Sequence, residues 1–430
     1  MEPVSGLLGT WADGIIGVPG DTDFFKFEAT AGQWIAVVTD TGGDNEDANE
    51  LDTVITVFDE AGAVQVAQAD DAYPYISTDS EIYYHVATTG TYCIRVDEYS
   101  NWSGGTALGD PTYTYQVGAY ELDFAQFEQL NKDSDPTPTN DTAGTAQTLT
   151  AAVVGQGTQV YAQIHGLLDT QSDVDWYKLT TPAAAIAGQV YFTPDSADGY
   201  GSTSGPGNVT LLDAAGTTVL ARLDYQVESG VALQNYNLSF PLTENTDYLL
   251  RVERPAGAGA PGANDFYVFK AVTADQDNEQ ETEGAAVDGV NDTLATTDGP
   301  VAGQVSTDGL TTSYFVGGHM ANVGDVDYWE FPANAGEEVA LACGSLRSGS
   351  GVQGFHAEIR TAADVLVPNA TGTEDANTDI LWSTGTGASA PPIAITTAGN
   401  YYVVLSNSGQ DATVTGTYYR CGIHVSTPTP

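Results

Sequence analysis

Paired aspartates followed by two aromatic rings occur three times in this chain, as GDTDFFKF (20–27), SDVDWYKL (172–179) and GDVDYWEF (324–331). Their leading aspartates, Asp21, Asp173 and Asp325, stand 152 residues apart (173 − 21 and 325 − 173). In an extended strand, residues i and i+2 share a face. Asp21 with Asp23, Asp173 with Asp175, and Asp325 with Asp327 therefore each present two carboxylates to one side. Such a pair does one of two things. It joins a calcium shell, which typically takes about six to eight oxygens, or it caps a turn by accepting backbone N–H groups. Both readings stand on the sequence.

Other chemistry has less support. The five histidines, His85, His165, His319, His356 and His424, are scattered. No H-E-x-x-H or C-x-x-C pairing occurs, and no G-x-S-x-G elbow. A glycosidase needs only two carboxylates, and among 58 acidic residues such a pair carries no information. Catalysis also needs one asymmetric constellation, whereas these elements are copied. The chain is expected not to be an enzyme.

Eleven basic residues against 58 acidic ones leave a formal net charge of −47. Nucleic acid is excluded as a partner, because binding it requires clustered Lys and Arg. An anionic membrane surface is excluded for the same reason. The acidity fits a saline habitat, calcium ligation, or both. No run is long enough to span a membrane, so no membrane insertion is expected. The opening MEPVSGLLGTW lacks a basic start and an apolar segment. With the cysteines and the composition, this suggests an extracellular or cell-surface chain numbered after processing.

The 152-residue period divides the 430 residues into units 1–130, 131–275 and 276–430. Each is long enough to bury its own core. Short alternating runs bounded by Gly, Asp, Asn and Pro recur in each unit, among them TYCIRV (91–96) and DYLLRV (247–252). This patterning predicts an all-β chain of three tandem antiparallel β-sandwich domains. One ring of each aromatic pair is expected in the core, and its neighbour faces out or meets the next domain. The segments LNKDSDPTPTND (130–141) and ADQDNEQETEGAAVDGVND (274–292) read as acidic, extended, solvated linkers, so a string of units is expected. Both linkers end in Asn-Asp-Thr.

The ordered set of an N-D-T segment, Gly-Asp-x-Asp-aromatic-aromatic, Ala-Gly, a strand–turn–strand and a late Gly-x-Tyr-x-hydrophobic strand resembles the bacterial pre-peptidase C-terminal domains. All three units carry most of these features. The resemblance implies secretion, a jelly-roll-like sandwich, and calcium at the N-terminal edge of the domain. By motif the implied ligands are Asn140, Asp141, Asp173 and Asp175 in the second unit, and Asn291, Asp292, Asp325 and Asp327 in the third. The first unit has Asp21 and Asp23 but no Asn-Asp step before them. The family's Glu beside Asn-Asp is also replaced, by Thr139 and Val290.

Three further features complete the reading. Cys343 and Cys421 lie in one unit on faces able to meet, as a disulfide or as two buried thiols, while Cys93 is left over as a packed residue. In the first unit GGDNEDANELD (42–52) and ADD (69–71) form an acidic stretch in which Asp52, Asp70 and Asp71 share one edge or a solvated loop. Trp102, Tyr73, Tyr75 and Trp382 sit in loop-like sequence, available to stack on ligands or to fill gaps. The expected function is a secreted, non-catalytic, calcium-stabilised array for extracellular binding or adhesion. Its partner would be an extracellular polymer or protein. The alternative is self-association, as the protomer of an extracellular filament or surface layer.

Overall fold

The computed structural model describes residues 7–42, 51–59, 64–70, 78–127, 130–134, 139–154, 159–168, 170, 172–183, 187–193, 208–223, 237–254, 266–274, 279–281, 290–306, 309–374, 379–383 and 389–427. Their regular structure is almost all strand, gathered into three pairs of larger sheets and one two-stranded sheet, Val352–Gln353 with Gly409–Gln410.

The first unit contains β1 (Thr10–Ile15), β2 (Asp23–Ala29), β3 (Trp34–Asp40), β4 (Thr53–Asp59), β5 (Gln65–Ala69), β6 (Glu81–His85), β7 (Gly90–Glu98) and β8 (Thr114–Glu121). One sheet runs β1-β8-β3-β6 and the other β2-β7-β4-β5, all antiparallel. Alternation along β2 sends Phe25 and Phe27 inward and Lys26 outward. They meet Ile55 and Ile94 of their own sheet, and Ile35, Val37 and Val117 of the facing one. This is a two-layer sandwich around one apolar core.

The second unit contains β9 (Leu130–Lys132), β10 (Gln147–Thr148), β11 (Ala152–Val154), β12 (Gln159–Leu167), β13 (Val174–Thr180), β14 (Ala187–Thr193), β15 (Asn208–Asp213), β16 (Val219–Leu223), β17 (Asn237–Pro241), β18 (Asp247–Glu253) and β19 (Phe266–Ala274). Its sheets run β11-β12-β19-β14-β17 and β10-β13-β18-β15-β16, with β9 on the edge of β12.

The third unit contains β20 (Glu279–Gln280), β21 (Gln304–Val305), β22 (Thr311–His319), β23 (Val326–Ala333), β24 (Glu338–Gly344), β25 (Val352–Gln353), β26 (His356–Thr361), β27 (Leu366–Thr373), β28 (Ile380–Trp382), β29 (Ile393–Ala394), β30 (Gly399–Ser406), β31 (Gly409–Gln410) and β32 (Tyr418–Ser426). Here β20-β22-β32-β24-β28 faces β23-β30-β26-β27. Cys343 and Cys421 are directly opposed on β24 and β32 and are joined as a disulfide. Cys93 is a half-buried free thiol. Trp382, read from sequence as a loop residue, is instead a fully buried core residue on β28. Trp102 is half-buried at the end of a single helical turn, Tyr99–Trp102. Tyr73, Tyr75, Asp71 and most of 42–52 lie outside the described residues.

The linkers do more than separate the units. In the first, β9 pairs in parallel with β12, placing Asn131 beside Ile164 and Lys132 beside His165. In the second, β20 pairs in parallel with β22, placing Glu279 beside Val316 and Gln280 beside Gly317. An exposed sheet edge offers a row of backbone donors and acceptors, and the linker satisfies them. The units also pack on one another. Trp34, Ala36 and Tyr83 of the first form one apolar cluster with Phe266 and Val268 of the second, flanked by the ion pair Lys270–Glu81 at 3.3 Å. Between the second and third, Arg222 N donates to Gly349 O at 2.9 Å, Thr415 N donates to Val219 O at 2.8 Å, and Tyr418 enters the second unit's core.

The candidate site at the joint of each sandwich

The two aspartates of each copied element have separate tasks. The first caps a turn. Asp21 Oδ2 accepts Gly17 N at 3.1 Å, and Asp325 Oδ2 accepts Ala321 N at 2.5 Å, each from four residues upstream. Asp173 Oδ1 accepts Val174 N at 3.0 Å, as Asp325 Oδ1 accepts Val326 N at 2.9 Å.

The second aspartate reaches across the sandwich to a tyrosine on the last strand. Tyr115 donates to Asp23 Oδ2 at 2.8 Å and Tyr267 to Asp175 Oδ2 at 2.7 Å; in the third unit the charge of Asp327 acts on Tyr419, whose hydroxyl accepts from Trp329 Nε1 at 2.9 Å. Opposite each tyrosine stands a glycine: Gly14, Gly166 and Gly318. A Cβ at Gly14 or Gly166 would fall 2.2 Å from the tyrosine ring, so the missing side chain is what lets the phenol lie across the neighbouring strand. Motif reading missed this pair because glycine and tyrosine lie far apart in sequence.

The entering segment closes the site in the second and third units. Trp176 N donates to Asn140 O at 2.8 Å, and Tyr328 N donates to Asn291 O at 3.1 Å. Both asparagines are wholly buried, as are Asp175 and Asp327. The Thr-x-x-Thr that follows folds into matching turns. Thr142 N meets Thr145 Oγ1 at 3.2 Å, and Thr293 N meets Thr296 Oγ1 at 3.2 Å. These turns lay Ala143 and Ala146 on Trp176, and Leu294 on Tyr328. The expected division of the aromatic pair holds in part: Phe25, Tyr177 and Trp329 are in the cores and Phe24 is exposed, but Trp176 and Tyr328 are buried outside the cores, beneath the entering turns. Asp141 is exposed and Asp292 half-buried, so the entering Asp stands at the rim while the Asn goes in.

The linker strand adds a further acid, which motif reading also missed. Asp133 N donates to His165 O at 2.9 Å just past β9, and Glu281 N donates to Gly317 O at 3.1 Å just past β20. The Tyr177 and Tyr267 hydroxyls are in hydrogen-bond contact. Their pKa values are pushed far up, first by burial and then by the charges of Asp133 and Asp175. Tyr419 is raised likewise by burial, Asp327 and Glu281. The joints of the second and third units thus gather carboxylates beside buried phenols whose pKa values are raised.

These groups suit a hard cation. Among the described residues no three His, Cys, Asp or Glu side chains converge in metal-binding geometry. The donor set here is mixed, with two carboxylates, an amide and backbone oxygens. Within it, Asn291 Nδ2 donates to Asp298 Oδ2 at 3.0 Å, while the buried Asn291 Oδ1 accepts no hydrogen bond. A buried oxygen without a donor is costly, and oxygen is the ligand calcium takes. The first unit holds Asp21, Asp23 and Tyr115, with Asn101 near Gly20 and the Asp97 charge also acting on Tyr115.

Elsewhere, a groove of about 850 Å³ opens in the third unit between β27 and the 390–401 segment, lined in part by Val365, Leu366, Pro392, Ile393 and Tyr401. No Asp, Glu, His, Lys, Arg or Cys lines it. Of the histidines, His165 is sealed in the first junction against Trp34, Tyr83 and Phe124. Burial, with the nearby Lys270 charge, lowers its pKa to about 3.

Residues 21–98 match the bacterial pre-peptidase C-terminal domain. Among solved structures, that domain of a collagenase from Bacillus anthracis is 17% identical, covering 27% of this chain and 94% of its own, with a TM-score of 0.21. The structure of Sulfolobus Turreted Icosahedral Virus is 11% identical over 96% of this chain and 86% of its own, with a TM-score of 0.18. Tandem CBM51 modules of the family 98 glycoside hydrolase from Streptococcus pneumoniae are 7% identical over 65% of this chain and 88% of theirs, with a TM-score of 0.18. No curated protein matches the sequence. Among the described residues no helix is long and apolar enough to cross a membrane.

Proposed function

We propose that this chain is a secreted, non-catalytic array of β-sandwiches that binds or adheres to an extracellular polymer or protein, with calcium closing its joints. The observation that carries the reading is repetition: an Asp beside a last-strand Tyr at the same place in each unit, buried in the second and third and half-buried in the first. A copied cluster whose asparagine and second aspartate are buried in the second and third units suits a structural lock. The disulfide between Cys343 and Cys421 supports an oxidising, extracellular setting. The uncharged groove beside Leu366 offers an acidic protein a neutral surface for a partner.

Asn140, Asp173 and Asp175 would supply donors for the ion in the second unit, and Asn291, Asp325 and Asp327 in the third. Asp141 and Asp292 would contribute from the rim, and Asp21 and Asp23 in the first unit would hold it more weakly. The ion would supply the positive charge that offsets buried carboxylates. Equilibrium dialysis against calcium tests this. Two saturable sites are expected, one lost in Asp175→Asn and the other in Asp327→Asn. No saturable uptake would remove calcium from the account. Cosedimentation with insoluble polysaccharide and protein fibres, comparing the native chain with Leu366→Asp, tests the binding role.

The alternative reading, a protomer of a filament or surface layer, draws on the packed junctions. Contacts such as Trp34 on Phe266 favour a stiff rod over a loose string. Sedimentation that shifts with concentration would favour it. A monodisperse monomer in millimolar calcium would count against it.

A further inference from the structure

Six Asn-x-Ser/Thr triplets, the acceptor pattern for N-linked sugar in a secreted chain, begin at Asn101, Asn140, Asn208, Asn237, Asn291 and Asn369. A transferase working on the folded protein must reach both the asparagine amide and the hydroxyl two residues on, and the fold separates the six on that ground. Asn140 and Asn291 are wholly buried at the joints, and Asn208 is buried on β15 together with Thr210. Asn101 is half-buried in the turn Tyr99–Trp102, where Glu98 Oε2 accepts its backbone N–H at 3.1 Å. Asn237 opens β17, paired with Tyr191 in the ladder. Among the described side chains, only Asn369 and Thr371 are exposed at both positions of a triplet.

The local backbone accounts for that exposure. The register of β26 and β27 shifts between Glu358↔Thr371 and Arg360↔Leu366, so residues 367–370 stand against Ile359 alone. Within this bulge Val367 and Ala370 turn into the core, while Pro368 and Asn369 stay outside. Two successive outward residues break the strand's alternation. The break falls on Asn369, whose φ of 65° is left-handed, a conformation asparagine tolerates better than most residues. Asn369 therefore stands at the lip of the uncharged groove beside Leu366 and Pro392.

We propose that Asn369 carries an N-linked glycan. Its Nδ2 attacks the anomeric carbon of an oligosaccharide held on a polyprenyl phosphate or pyrophosphate. The bond from that carbon to the phosphate oxygen breaks, and the lipid phosphate leaves with the electron pair. One Nδ2 proton passes to a base of the transferase, and nothing is oxidised or reduced. The bulky, solvated product stands on β27, the last strand of its sheet among the described residues, where it hinders edge-to-edge pairing with a second copy. The proposal rests on the extracellular reading, because this transfer acts on exported chains.

The test is mass spectrometry of tryptic peptides from the full chain, recovered from the cells that produce it and from their medium. Each triplet falls on its own tryptic peptide, that of Asn369 being 361–420. A sugar mass increment is expected on 361–420, and none on the peptides bearing Asn140, Asn208 or Asn291. Asn369→Gln and Thr371→Ala should each abolish the increment, and Thr371→Ser should keep it. Thr371→Ala leaves the left-handed asparagine in place, so its loss of sugar reads the triplet and not the bulge. A chain in the medium with 361–420 at its unmodified mass overturns the proposal, leaves Asn369 a turn residue and leaves the extracellular reading standing. A chain confined to the cytosol with that peptide unmodified overturns both. An increment that survives Thr371→Ala, or one found on the Asn140 or Asn291 peptide, also overturns the proposal.

Discussion

The hydroxyl of Tyr267 donates to Asp175 at 2.7 Å across the second sandwich, and both groups are buried. The aspartate comes from the copied element near the unit's start, the tyrosine from its last strand, and Gly166 makes the space between them. One contact therefore ties the first and last parts of the unit together at the point where the linker enters.

Removing that donor tests the tie. Tyr267→Phe keeps the ring and leaves Asp175 one hydrogen bond short, which costs about 1–3 kcal/mol for a buried acceptor. The second unit's urea midpoint should fall by that measure. Tyr115→Phe should cost less, because Asp23 is only partly buried. Gly166→Ala should be worse than Tyr267→Phe, since its Cβ would strike the ring.

The disulfide locks the third unit alone. Its 78-residue loop corresponds to about 4 kcal/mol on the chain-entropy account. Cys343→Ala with Cys421→Ala should lower the melting transition of the third unit and expose it to protease, leaving a fragment of the first two units intact. A single uniform shift of all transitions would show that the packed junctions couple the units more strongly than the disulfide stabilises its own.

His165 gives the first junction a pH dependence. Its folded pKa of about 3 lies below the ordinary value of 6.5, so protonation favours the open form. The contribution is fully present above about pH 6.5 and is lost as pH falls toward 3. Each unit of pH in that window is worth about 1.4 kcal/mol, or about 2 kcal/mol by pH 5. Melts at pH 8 and pH 5 should differ more for the native chain than for His165→Phe, which keeps the aromatic packing without the proton.

Much of this fold was legible in the sequence. Phe25, Tyr177 and Trp329 announce their strands by alternation, and the fixed period announces the copies. The joint was only half legible. Asp173 and Asp325 carried a turn signal and a metal signal together, and only tertiary partners separate the tasks. Asp133 and Glu281 stayed hidden because they stand 148 residues apart (281 − 133), off the main period. The linkers read as solvated because their acidity masks short strands such as Glu279–Gln280, which exist only against a neighbouring edge. Trp382 read as a loop residue because the short β28 around it has turn-rich flanks. Nothing local in sequence revealed the packing of His165 against Trp34, since the two belong to different units.

The central claim is that calcium locks the joints, and the most direct measurement is the melting temperature in EDTA, in millimolar calcium and in millimolar magnesium at matched ionic strength. Ligand at about 100 times its dissociation constant adds about 2.7 kcal/mol per site. The account predicts a rise of several degrees in calcium alone, reduced in Asp175→Asn and in Asp327→Asn. An equal response to magnesium or to plain salt would contradict it, leaving the aspartates as turn caps and tyrosine partners on an acidic, salt-adapted surface.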